Sequence, residues 1–154
     1  MAPHVRGLER RGLSATAVAL PRGRAESAVA AYRAGAPPDP GNVIGGHSFG
    51  GRVASLLASQ ERYGGLILLS YPLHPPGGRE RWDQRTEHWP LISCPVLLLS
   101  GDRDPFATID LLRQAVTRLS VAELIVYPRQ GHGLANVLED ALDRTAAWVR
   151  DLPA

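Results

Sequence analysis

The 154-residue sequence predicts an α/β protein: a doubly wound, mostly parallel sheet of about five strands with helices on both faces, folded as one domain over residues 1–154. Three observations lead there. Short apolar runs alternate with stretches of helical spacing along the whole chain. The apolar runs, LILLSY at 66–71 and VLLLS at 96–100 among them, lack polar alternation, as strands buried on both faces do. No repeat or linker interrupts the series.

Taken in order, residues 2–11 suit a short helix. Residues 14–20 (SATAVAL) read as a strand that stops at Pro21. Residues 24–34 have helical spacing and end at Gly35. A Pro-rich turn at 36–41 leads into a short strand at 42–46. A helix at 49–62 breaks at Gly64-Gly65, and the strand 66–71 follows. The long segment 72–90 is punctuated by Pro and Gly and reads as a loop, of the length that often carries function. After the strand at 96–100 come a helix at 109–119, a strand at 123–127 (ELIVY) and a closing helix at 134–152.

Composition narrows the function classes. Hydrophobic residues make up 44% and charged residues 21%, ordinary for a soluble domain. The formal net charge is +2, and the arginines are scattered without interleaved aromatics, which argues against nucleic acid as a partner. Cys94 is the one cysteine, so no internal disulfide can form; it reads as a buried thiol in a reducing, cytoplasmic setting. No apolar run approaches the roughly 20 residues that cross a bilayer, so no membrane is expected. No Cys/His/Asp spacing suggests a metal, and no cofactor is expected.

The chemistry-bearing signal is GGHSFGG at 45–51, placed between a predicted strand and a predicted helix. Gly46, Ser48 and Gly50 match G-x-S-x-G, in which a serine sits on a tight turn that lifts its hydroxyl above the sheet. Side chains two residues either side of it would crowd that turn, which accounts for the glycines. The helix then points its N-terminus at the site, and the Phe49 amide becomes a donor to a developing oxyanion. A phosphate-binding loop is the competing reading. Gly46 and Gly51 have its spacing, but Arg52 and Val53 stand where Lys and Ser/Thr would be needed.

A serine hydroxyl needs a base, and the base needs an orienting acid. Asp102 and Asp104 follow the strand at 96–100, and His132 follows the strand at 123–127; both loops leave the sheet edge from which Ser48 emerges. Asp104, further out and fixed by Pro105, is the expected acid; Asp102 is the expected turn or capping residue. His132, flanked by glycines, is the expected base. His47, Tyr71 and His74 are pocket candidates, and His88 reads as a solvated loop residue.

These segments, with GLILLSYPLHPPG at 65–77, RTEHWP at 85–90 and GDRDPF at 101–106, resemble the α/β-hydrolase superfamily and, within it, a small branch related to dienelactone hydrolases. Eukaryotic relatives in that branch include a component of a chromatin-associated complex. The resemblance spans about residues 14–152 and implies Ser48, Asp104 and His132 at the triad positions. It also implies a strand and a Gly-rich oxyanion loop ahead of Ala2, which this sequence lacks. That strand would lie between residues 14–20 and 42–46. The expectation is therefore a truncated hydrolase fold with either a slid-in 14–20 strand or an exposed edge, the latter covered by a partner such as a second copy. Two readings of function follow. One is a serine hydrolase acting on a small ester or thioester, weakened by the missing oxyanion donor. The other is a binding or scaffold module that keeps the fold without efficient chemistry.

Overall fold

The computed structural model describes residues 1–153. In chain order the elements are helix α1 (Ala2–Glu9), α2 (Ala25–Gly35), strand β1 (Asp39–His47), α3 (Phe49–Gln60), β2 (Tyr63–Leu69), α4 (Trp82–Arg85), β3 (Val96–Gly101), α5 (Ile109–Val116), β4 (Ala122–Tyr127) and α6 (Leu138–Arg150). Short 3-10 turns cover Arg79–Arg81, Trp89–Leu91 and Ala135–Val137. Among the described residues no helix is long and apolar enough to cross a membrane.

Among the described residues the sheet has four strands, all parallel, in the order β1-β2-β3-β4. β3 is buried at every position, and Leu66, Leu68, Leu97 and Leu99 are fully enclosed, as continuous apolar runs require. One core forms where α2, α3 and α5 cover one face, around Val29, Leu57, Leu66, Leu98 and Leu112. A smaller one forms on the other face, where Ala141 of α6 meets Leu97, Leu99 and Tyr127. α1 lies on α6: Arg11, just past it, pairs with Glu139 and Asp143 at 2.7 Å each.

The expected fifth strand does not form. Residues 14–20 belong to no helix and no ladder. The physical reason is the absence of a neighbour. Val18 packs on Gly35 of α2, which holds the segment away from β1. A slot of about 650 Å³ remains between the two. Two further differences are local. β2 begins at Tyr63, with Gly64 and Gly65 inside the strand rather than breaking the helix before it. The segment 72–90 is not a plain loop but carries α4 and two of the 3-10 turns.

Candidate active site

Three strand ends build the site. β1 ends at His47, and the chain turns through Ser48 into α3 with φ 53° and ψ −118° at Ser48. That conformation is sparsely populated for a residue with a side chain and survives only where surroundings hold it. Here the Ser48 N–H donates to the Leu69 carbonyl (2.8 Å), and the Arg52 N–H returns to the Ser48 carbonyl (3.1 Å). Gly46 is required: a methyl group on it would run into the backbone of Gly50 and Gly51. Gly50 is not, since a methyl group there would meet nothing within 4 Å. The crowding predicted on both sides of the serine exists on the strand side only.

β3 ends at Gly101, whose bare Cα lets the backbone at Gln130 and Gly131 approach. This contact brings the loop after β4 against the loop after β3. Asp104 is buried, with no side-chain exposure. One of its oxygens, Oδ1, accepts the Phe106 N–H (2.8 Å), and Oδ2 accepts His132 Nδ1–H (2.8 Å). A carboxylate only accepts, so the proton sits on Nδ1 and leaves Nε2 as the acceptor for the Ser48 hydroxyl at 2.8 Å. Asp102 makes none of these bonds; its Oδ1 accepts the Arg129 N–H (2.7 Å), where the chain turns at φ 60°.

The Phe49 amide opens α3, in the first turn, where N–H groups have no intrahelical acceptor. It therefore stands beside Ser48 as a donor with the positive end of the helix behind it.

The pocket candidates separate. His47 lines the slot and donates Nε2–H to the His132 carbonyl (3.0 Å). Tyr71 and His74 turn inward, contrary to expectation. The Tyr71 hydroxyl donates to the Arg85 carbonyl (2.7 Å) and its ring meets Trp89 edge-on at 5.0 Å. His74 donates Nδ1–H to the Pro75 carbonyl (2.8 Å) and accepts the Thr108 N–H (3.0 Å) at Nε2. Both shape the 72–90 segment rather than a substrate space. His88 is not a solvated residue either: it bonds Ser55 Oγ (2.8 Å), and burial, reinforced by the Arg52 charge, pushes it down to about 4.

Two neighbours of the site escaped the sequence reading. The Phe106 ring lies 4.6 Å from the His132 ring, a contact that its position two residues after Asp104 could have suggested. His4 on α1 lies 6.3 Å from the His47 ring, with its Nδ1 buried and unpartnered; burial, His47 and the chain's amino terminus lower its pKa. No sequence spacing links His4 to residue 47. Among the described residues no cluster of His, Cys, Asp and Glu could hold a metal ion.

Known proteins share this architecture. The sequence model described as "Alpha/beta hydrolase domain" matches residues 21–150. A protein described as a predicted CIB-like hydrolase from Thermoplasma acidophilum superposes with a TM-score of 0.68 at 21% identity, covering 90% of this chain and 66% of its own. A monoacylglycerol lipase from Paleococcus ferrophilus gives 0.75 at 12%, covering 96% and 87%. A dienelactone hydrolase from Anabaena variabilis gives 0.59 at 19%, covering 73% and 50%. The chain thus spans less than two thirds of the first and third of these structures, and at such identities the likeness is one of fold. A search of curated proteins returns no match.

Proposed function

Because the chain belongs to the α/β-hydrolase domain family, we propose that it is a serine hydrolase cleaving a small ester or thioester through Ser48, His132 and Asp104, and that its nearer kin are the dienelactone-hydrolase-like branch. The observation that carries this reading is the continuous series Ser48 Oγ–H to His132 Nε2 and His132 Nδ1–H to Asp104 Oδ2, both at 2.8 Å. Geometry of this kind is what nucleophile activation requires.

In the proposed reaction Ser48 Oγ attacks the acyl carbon while its proton passes to His132 Nε2. The imidazolium so formed is held by the buried Asp104 carboxylate. The Phe49 N–H faces the oxygen that gains charge. Collapse of the tetrahedral intermediate breaks the bond to the alcohol or thiol, which leaves with the proton from His132. Water, deprotonated by His132, then attacks the acyl-enzyme and restores Ser48. An amide is disfavoured, because its poorer leaving group asks more of the oxyanion donors. Each oxyanion donor is worth roughly 10²–10³ in rate.

The second reading is a binding or scaffold module that keeps the fold with little chemistry. Labelling with a fluorophosphonate probe decides between them. The wild type is expected to label covalently, and Ser48→Ala and His132→Ala are expected not to. A folded wild type that stays unlabelled would sink the hydrolase reading.

A further inference from the structure

The sheet ends on β4, whose outer side meets no other strand among the described residues. Along a strand, residues bonded to one neighbour alternate with residues whose N–H and C=O point the opposite way. The Val96 N–H donates to the Val121 carbonyl (2.9 Å) and the Asp102 N–H to the Tyr127 carbonyl (3.0 Å), so positions 121, 123, 125 and 127 face β3. Ala122, Leu124 and Val126 therefore turn their N–H and C=O groups outward, and among the described residues no backbone group meets them there. The edge carries few of the features that keep strands apart. Its register to β3 runs unbroken from Ala122 to Tyr127, no proline lies inside it, and Glu123 is its one charge. Leu124, Ile125 and Val126 are only half-buried, and Val121, just ahead of the strand, is 58% exposed.

The two faces of β4 are also distinct. Leu124 packs on the core that α5 covers, and Ile125 and Tyr127 on the core that α6 covers. Even positions thus lie on the α5 face and odd positions on the α6 face. A two-fold axis at Leu124 sets a second copy of the strand antiparallel to the first. Ala122 of one copy then meets Val126 of the other, and Leu124 meets Leu124, each pair exchanging both N–H···O bonds. Even positions bring only apolar side chains together. On the odd face the exposed Val121 comes opposite Tyr127, and Glu123 comes opposite Ile125, next to Tyr127. The Tyr127 hydroxyl donates to Asp140 (2.7 Å), which also holds Arg144 (3.0 Å). Among the described residues Glu123 has no cationic partner, and the axis turns Arg144 of the other copy toward it. The edge therefore complements itself in backbone groups, apolar side chains and charge. A strand of unrelated sequence would match it in the first alone.

We propose that the outer edge of β4 is an interface for a second copy of this chain, joined antiparallel about a two-fold axis at Leu124 so that the two sheets run on as one. Ala122, Leu124 and Val126 supply its hydrogen bonds, and Glu123 and Arg144 fix its register. This interface is independent of whether Ser48 is reactive.

The test uses the full chain. Sedimentation over a dilution series is combined with amide hydrogen exchange at both ends of the series. The concentrated chain is expected to be dimeric, with exchange at Leu124 and Val126 slowed at least tenfold relative to the dilute chain and exchange at Leu98 equal in both. Leu124→Pro removes one outward N–H and none of the bonds to β3, and is expected to weaken dimerisation at least tenfold. Glu123→Arg is expected to weaken it several-fold by setting like charges together, and adding Arg144→Glu is expected to restore it, which a misfolded strand would not allow. A chain that stays monomeric at every concentration overturns the proposal. A dimer whose Leu124 and Val126 amides exchange at the dilute rate overturns it as well, as does a Leu124→Pro chain that dimerises unchanged. Slow exchange at those amides in the monomer also overturns it, since the chain itself would then cover the edge. So does a charge swap that leaves the Glu123→Arg defect in place.

Discussion

At the scale of single residues, the site depends on how the His132 loop is held. His132 sits between Gly131 and Gly133, which do little to restrain the backbone. Three contacts compensate: Asp104 on Nδ1, the Phe106 ring, and the His47 Nε2–H bond to the His132 carbonyl. His47 touches no reacting atom, so its role is positioning. His47→Gln, which retains a side-chain N–H donor, is expected to keep most of the fluorophosphonate labelling rate. His47→Phe is expected to lower it between a few-fold and about 10²-fold, the range a misplacement near 1 Å produces. Equal rates in the two variants would remove His47 from the positioning set. The strand–turn–helix pattern around Ser48, and the two loops that follow strands, pointed to three residues that the fold joins in one hydrogen-bonded series. The bond from His47 to His132 spans 85 positions of chain, and no local pattern announces it.

At the scale of elements, legibility followed how local the cause was. β3 was readable because burial on both faces leaves a continuous apolar run. Residues 14–20 carry the composition of a strand, but a strand exists only by pairing, and the neighbour is not a property of the segment. The Gly64-Gly65 pair misled for a related reason. A methyl group on Gly64 would meet the Pro40 carbonyl of β1, and one on Gly65 would crowd Trp148 and Leu152, so these glycines permit close packing on the strand instead of ending a helix. The 72–90 segment is organised from a distance as well, by Tyr71 on Arg85 and by His88 on Ser55. His88 ties that segment to α3 and carries a pH consequence. Its folded value is about 4 against 6.5 for the free side chain, so between those values the unfolded chain binds the extra proton. The associated stability is complete above pH 6.5 and is lost as pH falls toward 4, on the order of 2–3 kcal/mol. Urea titrations from pH 7 to 4 are expected to show a shallower acid decline for His88→Gln than for the wild type. Parallel declines would mean that other groups dominate.

At the scale of the whole molecule, stability is expected to be uneven. The β2–β3 pair is enclosed on both faces and bonded on both edges. Residues 1–24 contribute no strand, and they are held to the rest by packing and by charge. Gly7 lies against Leu142, Val18 lies against Gly35, and Arg11 binds Glu139 and Asp143. Segments with few ladder bonds open at lower cost than the core they lean on. Opening this one would uncover the slot that it lines. The exposed arginines at 22 and 24 report such opening as trypsin sites. Arg11→Met is expected to raise the rate of cleavage after Arg22 several-fold, while amide exchange at Leu68 and Leu98 stays unchanged. Added salt should accelerate the wild type toward the variant, because the ion pairs of Arg11 are the part that salt screens. A variant that speeds exchange in β2 and β3 to the same extent would show that residues 1–24 unfold only with the whole domain.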